Sequence, residues 1–283
     1  MATFTNRATL SYNGNSVNSN IVTGEIQEVL AVSKNAVQGV YTEDGVVTYV
    51  ITLVNSGALP LENLTVTDNL GEYEFGGNNL YPLEYVENSV LYYVDGILVA
   101  APVVTARPPL TISGVNVPAN GDAVIVYQAR VTDFAPLASG SEITNTATVT
   151  GGGITIPVTA TETVTLQDSL QLDISKALSP SVVQENGQLT YTFTIRNYGT
   201  TEAIATDNLT LTDTFNPVLD PITVTFNGDV WSTPANYTYN TATGEFATVP
   251  GAITVPAATV TQNEDGTWTV TPGVSTLTVT GTV

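Results

Sequence analysis

The stretch Met1-Ala-Thr-Phe-Thr-Asn-Arg-Ala-Thr-Leu-Ser11 reads as the last strand of a domain, although it comes first. Its pattern returns at Ile143-Thr-Asn-Thr-Ala-Thr-Val149, where it closes a repeat. A strand turns successive side chains to opposite faces, so Phe4, Asn6, Ala8 and Leu10 share one face, as do Ile143, Asn145, Ala147 and Val149. Each of those faces is apolar apart from one Asn. A closing strand placed ahead of any domain it could close needs a partner, and the partner expected here is another copy of the chain.

After this strand, Ser11-Tyr-Asn-Gly-Asn15 carries the Asn-Gly pair that suits a hairpin turn, and residues 17–25 offer a second, weaker strand. The body of a repeat then appears twice. Residues 28–34 match 170–176, where Leu170, Leu172, Ile174 and Lys176 alternate cleanly. Glu43-Asp-Gly-Val-Val-Thr-Tyr-Val-Ile-Thr-Leu-Val-Asn55 matches Glu185-Asn-Gly-Gln-Leu-Thr-Tyr-Thr-Phe-Thr-Ile-Arg-Asn197 position for position. Asn63-Leu-Thr-Val-Thr-Asp68 matches Asn208-Leu-Thr-Leu-Thr-Asp213, and residues 275–283 sit where 123–131 do. The second repeat has no match for the closing segment at 132–166. Many short strands separated by turn signals, in a long tandem repeat, predict an all-β chain of two sandwiches. The expected division is 1–27 as a donor-strand segment, 28–168 as a first β-sandwich, and 169–283 as a second that lacks its closing strand.

Composition agrees with a buried, strand-rich protein. Of 283 residues, 42% are hydrophobic and 11% charged, and the mean hydropathy is +0.16. Thr and Val, which dominate, are β formers because of their branched Cβ. The net charge of −20 disfavours nucleic acid and anionic membranes, which need Lys and Arg to meet phosphate. There is no Cys, hence no disulfide or thiolate metal site, and no His, the usual general base and metal ligand. Turnover enzymology and a cofactor are therefore not expected. No apolar run approaches the ~20 residues of a membrane helix, and no signal-like segment opens the chain.

A Lys-ended strand, then Thr-Tyr-x-x-x-x-x-Asn-x-Gly, then Thr-x-Thr-Asp, then Ile-Thr-Asn-Thr-Ala-Thr-Val resembles the repeat called domain of unknown function 11. That resemblance implies immunoglobulin-like sandwiches in tandem on bacterial and archaeal surface proteins. It spans most of the chain, is weak over 216–274, and does not account for the permuted ending.

The two lysines, Lys34 and Lys176, hold the same position of the two repeats, on the inward parity of their strands. Asp68 and Asp213 share the inward parity of their own strands, and the closing strand adds Asn145 or Asn6. A Lys facing a core is costly unless paired or neutralised. Lys, Asp and Asn on inward faces resemble the parts of a spontaneous isopeptide bond in pilin and adhesin sandwiches. There a desolvated Lys amine attacks the Asn carboxamide, a buried protonated Asp polarises it, and ammonia leaves. The same residues also fit an ordinary buried salt bridge, but the coincidence of all three, twice, with no other Lys, favours the covalent reading. The expected sites are Lys34–Asn145 with Asp68 inside one subunit, and Lys176–Asn6 with Asp213 between subunits, with Phe4, Ala8 and Leu10 as the donor's core face.

Other candidates have plainer readings: Asn55 and Asn197 as turn residues, Trp231, Trp268 and the Tyr cluster at 81–93 as packing, and the Glu-Asp-Gly and Glu-Asn-Gly turns without calcium-ligand spacing. The function expected is a subunit of an extracellular, pilus-like fibre on a cell or spore surface, polymerising head to tail with itself. The rival is a stalk or ligand-binding adhesin fragment of a larger surface protein.

Overall fold

The computed structural model describes residues 2–26 and 28–283; Met1 and Gln27, at the two ends of the expected donor segment, lie outside the described residues. Among the described residues the chain is all-β, with one 3-10 turn at Ala205–Asp207. This follows from the Thr/Val alternation, which no helical face could absorb.

The first sandwich packs two six-stranded sheets. One runs Ile97–Val99, Leu91–Val94, Asp122–Val131, Val46–Asn55, Leu30–Ala36, with Leu83–Tyr85 also pairing on the third. The other runs Val103–Thr105, Leu110–Val117, Leu61–Asp68, Glu142–Gly151, Val158–Leu166, Val40–Tyr41. All pairs are antiparallel except the last, where Thr165 and Leu166 run parallel to Val40 and Tyr41. The period-two pattern does the sorting: Val47, Tyr49, Ile51 and Leu53 are buried while their alternates are not. Facing them from the second sheet are Leu64, Val66, Ile112, Ala147 and Val149, all buried.

The second sandwich repeats the first sheet and only part of the facing one. Its larger sheet runs Leu172–Ser179, Gln188–Asn197, Gly273–Thr282, Ile222–Phe226, Asp229–Trp231. Opposite it lie three short strands in the order Thr212–Thr214, Glu245–Thr248, Tyr237–Tyr239. The aromatic residues Phe215, Phe246 and Tyr237 fill the core that results. Nothing among the described residues of this sandwich stands where Glu142–Gly151 and Val158–Leu166 stand in the first.

Asn55 and Asn197 are buried turn residues, each fully satisfied by backbone: Asn55 donates to the Leu59 and Pro118 carbonyls and accepts from the Gly57 N–H, and Asn197 does the same with Thr201, Pro256 and Gly199. Trp231 stacks on Phe226. Trp268 belongs to an extra hairpin, Thr259–Gln262 with Trp268–Thr271, that reaches back to the first sandwich. There Val260, Trp268 and Val270 pack on the first core, and Gln262 Nε2 donates to the Tyr73 hydroxyl at 3.1 Å.

Residues 2–26 form one hairpin. Ala2–Asn6 pairs with Val22–Ile26, and Thr9–Tyr12 with Asn15–Asn18 around the Asn13-Gly14 turn, whose φ angles of 44° and 77° are those an Asn-Gly pair tolerates. None of the side chains of residues 3–25 joins either core, and Phe4, Leu10, Val17, Ile21 and Val22 are exposed.

Candidate functional site

In the first sandwich three inward-facing polar residues converge. Lys34 comes from Leu30–Ala36 in one sheet; Asp68 and Asn145 come from neighbouring strands of the other, where Ala147 is the register partner of Asp68. Lys34 Nζ lies 2.6 Å from Asp68 Oδ2, and the two side chains are 0% and 1% exposed. Asp68 Oδ1 accepts the Leu70 N–H at 3.0 Å. Asn145 is fully buried, and its Oδ1 has no hydrogen-bond partner. A buried carbonyl left without a donor is costly and uncommon, so it marks where a proton or a donor is wanted.

Three further residues complete the site. Tyr127 donates its hydroxyl to Asp68 Oδ2 at 2.6 Å and accepts from Asn145 Nδ2 at 3.2 Å, bridging acid and carboxamide. Tyr49 stacks on Tyr127 with centroids 5.5 Å apart and lies under the Lys34 ammonium at 4.7 Å. Its own hydroxyl is buried beside Asn145, whose carboxamide acts on it. Glu162 is the register partner of Asn145, so it shares the inward face, and its charge acts on Lys34. Thr-Tyr at 48–49 was legible as a repeat feature, but nothing marked Tyr127 or Glu162 for this role.

Burial pushes the Lys34 ammonium down to about 8, against the opposing pull of Asp68 and Glu162. A neutral amine is therefore accessible near neutral pH, which is what a nucleophile needs. Between pH 8 and 10 the unfolded chain still holds a proton that folded Lys34 has released, so an uncross-linked fold gains stability as pH rises. Below pH 8 both states hold the proton and this slope vanishes. Above pH 10 the buried Tyr49 and Tyr127 phenols, both pushed upward by burial, reverse it. In Asn145→Ala, where no Lys34–Asn145 amide can form, urea unfolding of the full-mass protein should show a gain of up to about 3 kcal/mol from pH 8 to 10. A flat profile there would contradict the buried-ammonium geometry.

The second sandwich presents the same pair in an unfinished setting. Lys176 Nζ bonds Asp213 Oδ2 and lies 4.4 Å from the Tyr191 ring centroid, yet the two side chains are 41% and 18% exposed. The cause is the missing strands. Asp213 has a strand partner on one side only, Phe246, whereas Asp68 is flanked by both Leu110 and Ala147. The same absence uncovers the inner face of Leu172–Ser179: Leu172 is 40% exposed where its counterpart Leu30 is 7%. A cleft of about 370 Å³ opens there, walled by Leu172, Ile174, Ile195, Leu209, Leu211 and Ile253. Val279 stands where Tyr127 stands in the first repeat, as the register partner of Tyr191.

Asn6 is not brought to Lys176 within the chain; it is exposed and pairs with Val22. The end of the hairpin that carries it has the pairing register of Glu142–Gly151 with Val158–Leu166. Asn6 pairs with Val22 and Phe4 with Gly24, just as Asn145 pairs with Glu162 and Ile143 with Val164. Phe4 covers Gly24 so closely that a Cβ on that glycine would lie 2.4 Å from the ring. A large residue with a small one here replaces two middling ones there.

No protein-family model and no curated protein sequence matches the chain. Solved structures similar to it include BcpA, the major pilin subunit of Bacillus cereus, at 13% identity over 95% of this chain and 73% of that one, with a TM-score of 0.36. The pilus backbone RrgB from Streptococcus pneumoniae is 11% identical over 83% of this chain and 52% of that one, with a TM-score of 0.34. A family 123 glycoside hydrolase from Clostridium perfringens is 12% identical over 49% and 27%, with a TM-score of 0.30. Likeness this low assigns no function, so function has to be read from the chain's own geometry.

Proposed function

We propose that this chain is the structural subunit of an extracellular fibre, assembled head to tail by inserting residues 1–27 of one copy into the open second sandwich of the next. The observation that carries this is the match between a free hairpin and a missing one. The Phe/Ile-x-Asn-x-Ala-x-Leu/Val pattern is integral in the first sandwich and has no counterpart among the described residues of the second. Its Phe4–Gly24 and Asn6–Val22 pairs keep the first sandwich's register, which shifts by one residue beyond Ala8, where Leu10 pairs with Val17. A lone two-stranded hairpin is marginal in water, and an open sheet edge invites pairing. Each deficiency answers the other.

Reach supports a neighbour over self-insertion. The hairpin enters the first sandwich at Leu30, opposite Asn55. The second sandwich adjoins the other pole, where Thr42, Asp44 and Leu166 meet Gln171 and Tyr198. The ten residues of Val46–Asn55 separate those poles by about 30 Å. Val22, the partner of Asn6, is eight residues from Leu30 and can extend at most about 29 Å from it. Lys176 lies beyond that, inside the second sandwich. The contact is heterologous, so it propagates instead of closing.

Within the subunit, the reading includes a covalent step. Lys34 gives its extra proton to Asp68, and the neutral amine attacks Asn145 Cγ. Asp68 protonates the carbonyl oxygen, takes the second proton from the attacking nitrogen and passes it to the departing nitrogen through the Tyr127 hydroxyl that faces it. As the carbonyl re-forms, its proton returns to Asp68, which is left neutral. One N–C bond forms, one breaks, and ammonia leaves. The amide ties the two sheets together and removes a buried charge. Between subunits, Asn6, Lys176 and Asp213 would repeat the chemistry once the hairpin is seated.

Size exclusion and negative-stain microscopy test assembly. The whole chain is expected to form fibres, and removal of residues 1–27 to leave monomers. Fibres that form without the hairpin would overturn the donor mechanism, and a whole chain that stays monomeric would favour a stalk or adhesin module.

A further inference from the structure

We infer that the second strand of the hairpin, Val22–Ile26, pairs in parallel with Val182–Val183 of the neighbouring copy, so that the inserted hairpin is gripped along both edges. This rests on the donor-strand reading, in which the first strand meets Asp213, and adds a second contact line along the hairpin's other edge.

One backbone segment occurs in two states. In the first sandwich Val40–Tyr41 is a strand because Val158–Leu166 lies beside it: Thr165 pairs with Val40 and Leu166 with Tyr41. The Thr165 N–H donates to the Gly39 carbonyl and the Gln167 N–H to the Tyr41 carbonyl, at 3.1 and 2.8 Å. The corresponding segment of the second sandwich, Ser181-Val-Val183, precedes an equivalent turn. Asp44 and Asn186 share a left-handed φ of 56° and 59°, and Gly45 and Gly187 each donate back three residues. Yet residues 181–183 form no strand, and Val182 is 84% exposed. The turn that fixes the segment is present; the strand that would pair with it is not.

The hairpin supplies that strand in register. Since Asn6 corresponds to Asn145, Val22 corresponds to Glu162, Thr23 to Thr163, Glu25 to Thr165 and Ile26 to Leu166. Sequence agrees at the far end, where Thr-Gly-Glu-Ile-Gln-Glu (23–28) lies against Thr-Val-Thr-Leu-Gln-Asp (163–168). Transfer of the first-sandwich register sets Glu25 of one copy opposite Val182 of the next. The outer edge of the donor, an unpaired strand edge in any single-strand insertion, is thereby closed, which removes a site for lateral mispairing.

The chain has no Cys, so introduced thiols report only the chosen contact. Two double variants are made in Asn6→Ala, which cannot form an intersubunit amide, so any ladder is a disulfide ladder. Thr9→Cys with Thr212→Cys copies the Thr148–Thr67 pair and reads the first strand. Glu25→Cys with Val182→Cys copies the Thr165–Val40 pair and reads the second. Directly paired residues bring Cα atoms within disulfide range. Oxidised fibres of both variants are expected to run as reducible ladders on a denaturing gel, and each single-Cys control no further than a dimer. A ladder from the Thr9/Thr212 pair without one from Glu25/Val182 would overturn the clamp and leave the donor strand standing. Monomer bands from both would overturn the donor strand and the clamp with it. A ladder from Glu25/Val182 alone would overturn the register on which both rest.

Discussion

The purified, folded chain is expected to weigh one ammonia less than its sequence. Lys34, Asp68 and Asn145 are held together from two sheets, dry, with the amine lowered to about 8 and the Asn145 carbonyl lacking any donor. In that setting the charged pair is the unstable arrangement, because two buried ions carry a desolvation cost of several kcal/mol each that one contact repays poorly. An amide removes both ions. It also closes a loop of roughly 110 residues, which on the chain-entropy account of a cross-link adds about 5 kcal/mol to the first sandwich. Asp68→Ala should abolish the mass loss and lower stability by at least that amount, since it also strands the lysine. Tyr127→Phe should keep the fold and slow the loss, since only the bridging hydroxyl goes. Loss of one water instead of one ammonia would place the bond between Lys34 and a carboxylate, Asp68 or Glu162. The full sequence mass in a folded sample would sink the covalent reading, leaving a buried salt bridge.

The parts of this site that the sequence disclosed are those that follow from strand parity. Lys34, Asp68 and Asn145 each sit two residues from apolar neighbours, so their faces could be assigned before any fold was known. The tandem repeat then made each assignment twice. Tyr127 escaped because Ala123-Val-Ile-Val-Tyr-Gln reads as one more apolar strand, and its bond to Asp68 depends on which strands oppose each other across the core. Glu162 escaped because Thr-Ala-Thr-Glu-Thr offers no apolar rhythm, and only pairing with Asn145 turns it inward. The openness of the second site was legible as a missing segment, but the degree was not. That Lys176 is 41% exposed while Lys34 is sealed is a consequence of two absent strands, not of anything at residue 176. The hairpin around Trp268 that locks onto the first sandwich is a non-local contact across about 190 residues (Tyr73 to Gln262), and no local pattern announces such a partner.

Fibres boiled in detergent are expected to run as a ladder of multimers, the largest effect predicted between subunits. When the hairpin seats, Ala8 comes opposite Asp213 as Ala147 lies opposite Asp68, and Asn6 comes two residues along on the same face. Phe4 and Leu10 then cover Leu172 and Ile174, and water leaves Lys176. The two sites are not equal, however. Val279 replaces the bridging Tyr127, and Val22 replaces Glu162, so the second site has neither the hydroxyl relay nor the second carboxylate. Direct contact between Lys176 and Asp213 is kept, as is the aromatic floor of Tyr191. Proton transfer must then run through Asp213 alone, so the intersubunit amide should form more slowly than the internal one and lag behind assembly. A time course should therefore show fibres by microscopy before the ladder matures. Lys176→Ala or Asn6→Ala should collapse the ladder to monomer while the internal ammonia loss persists, because Lys34 and Asn145 are untouched. Leu172→Asp should prevent assembly itself, by placing a charge on the wall the hairpin must cover. A single monomer band from fully aged wild-type fibres would leave strand insertion as the whole of the linkage, held by slow dissociation instead of a bond.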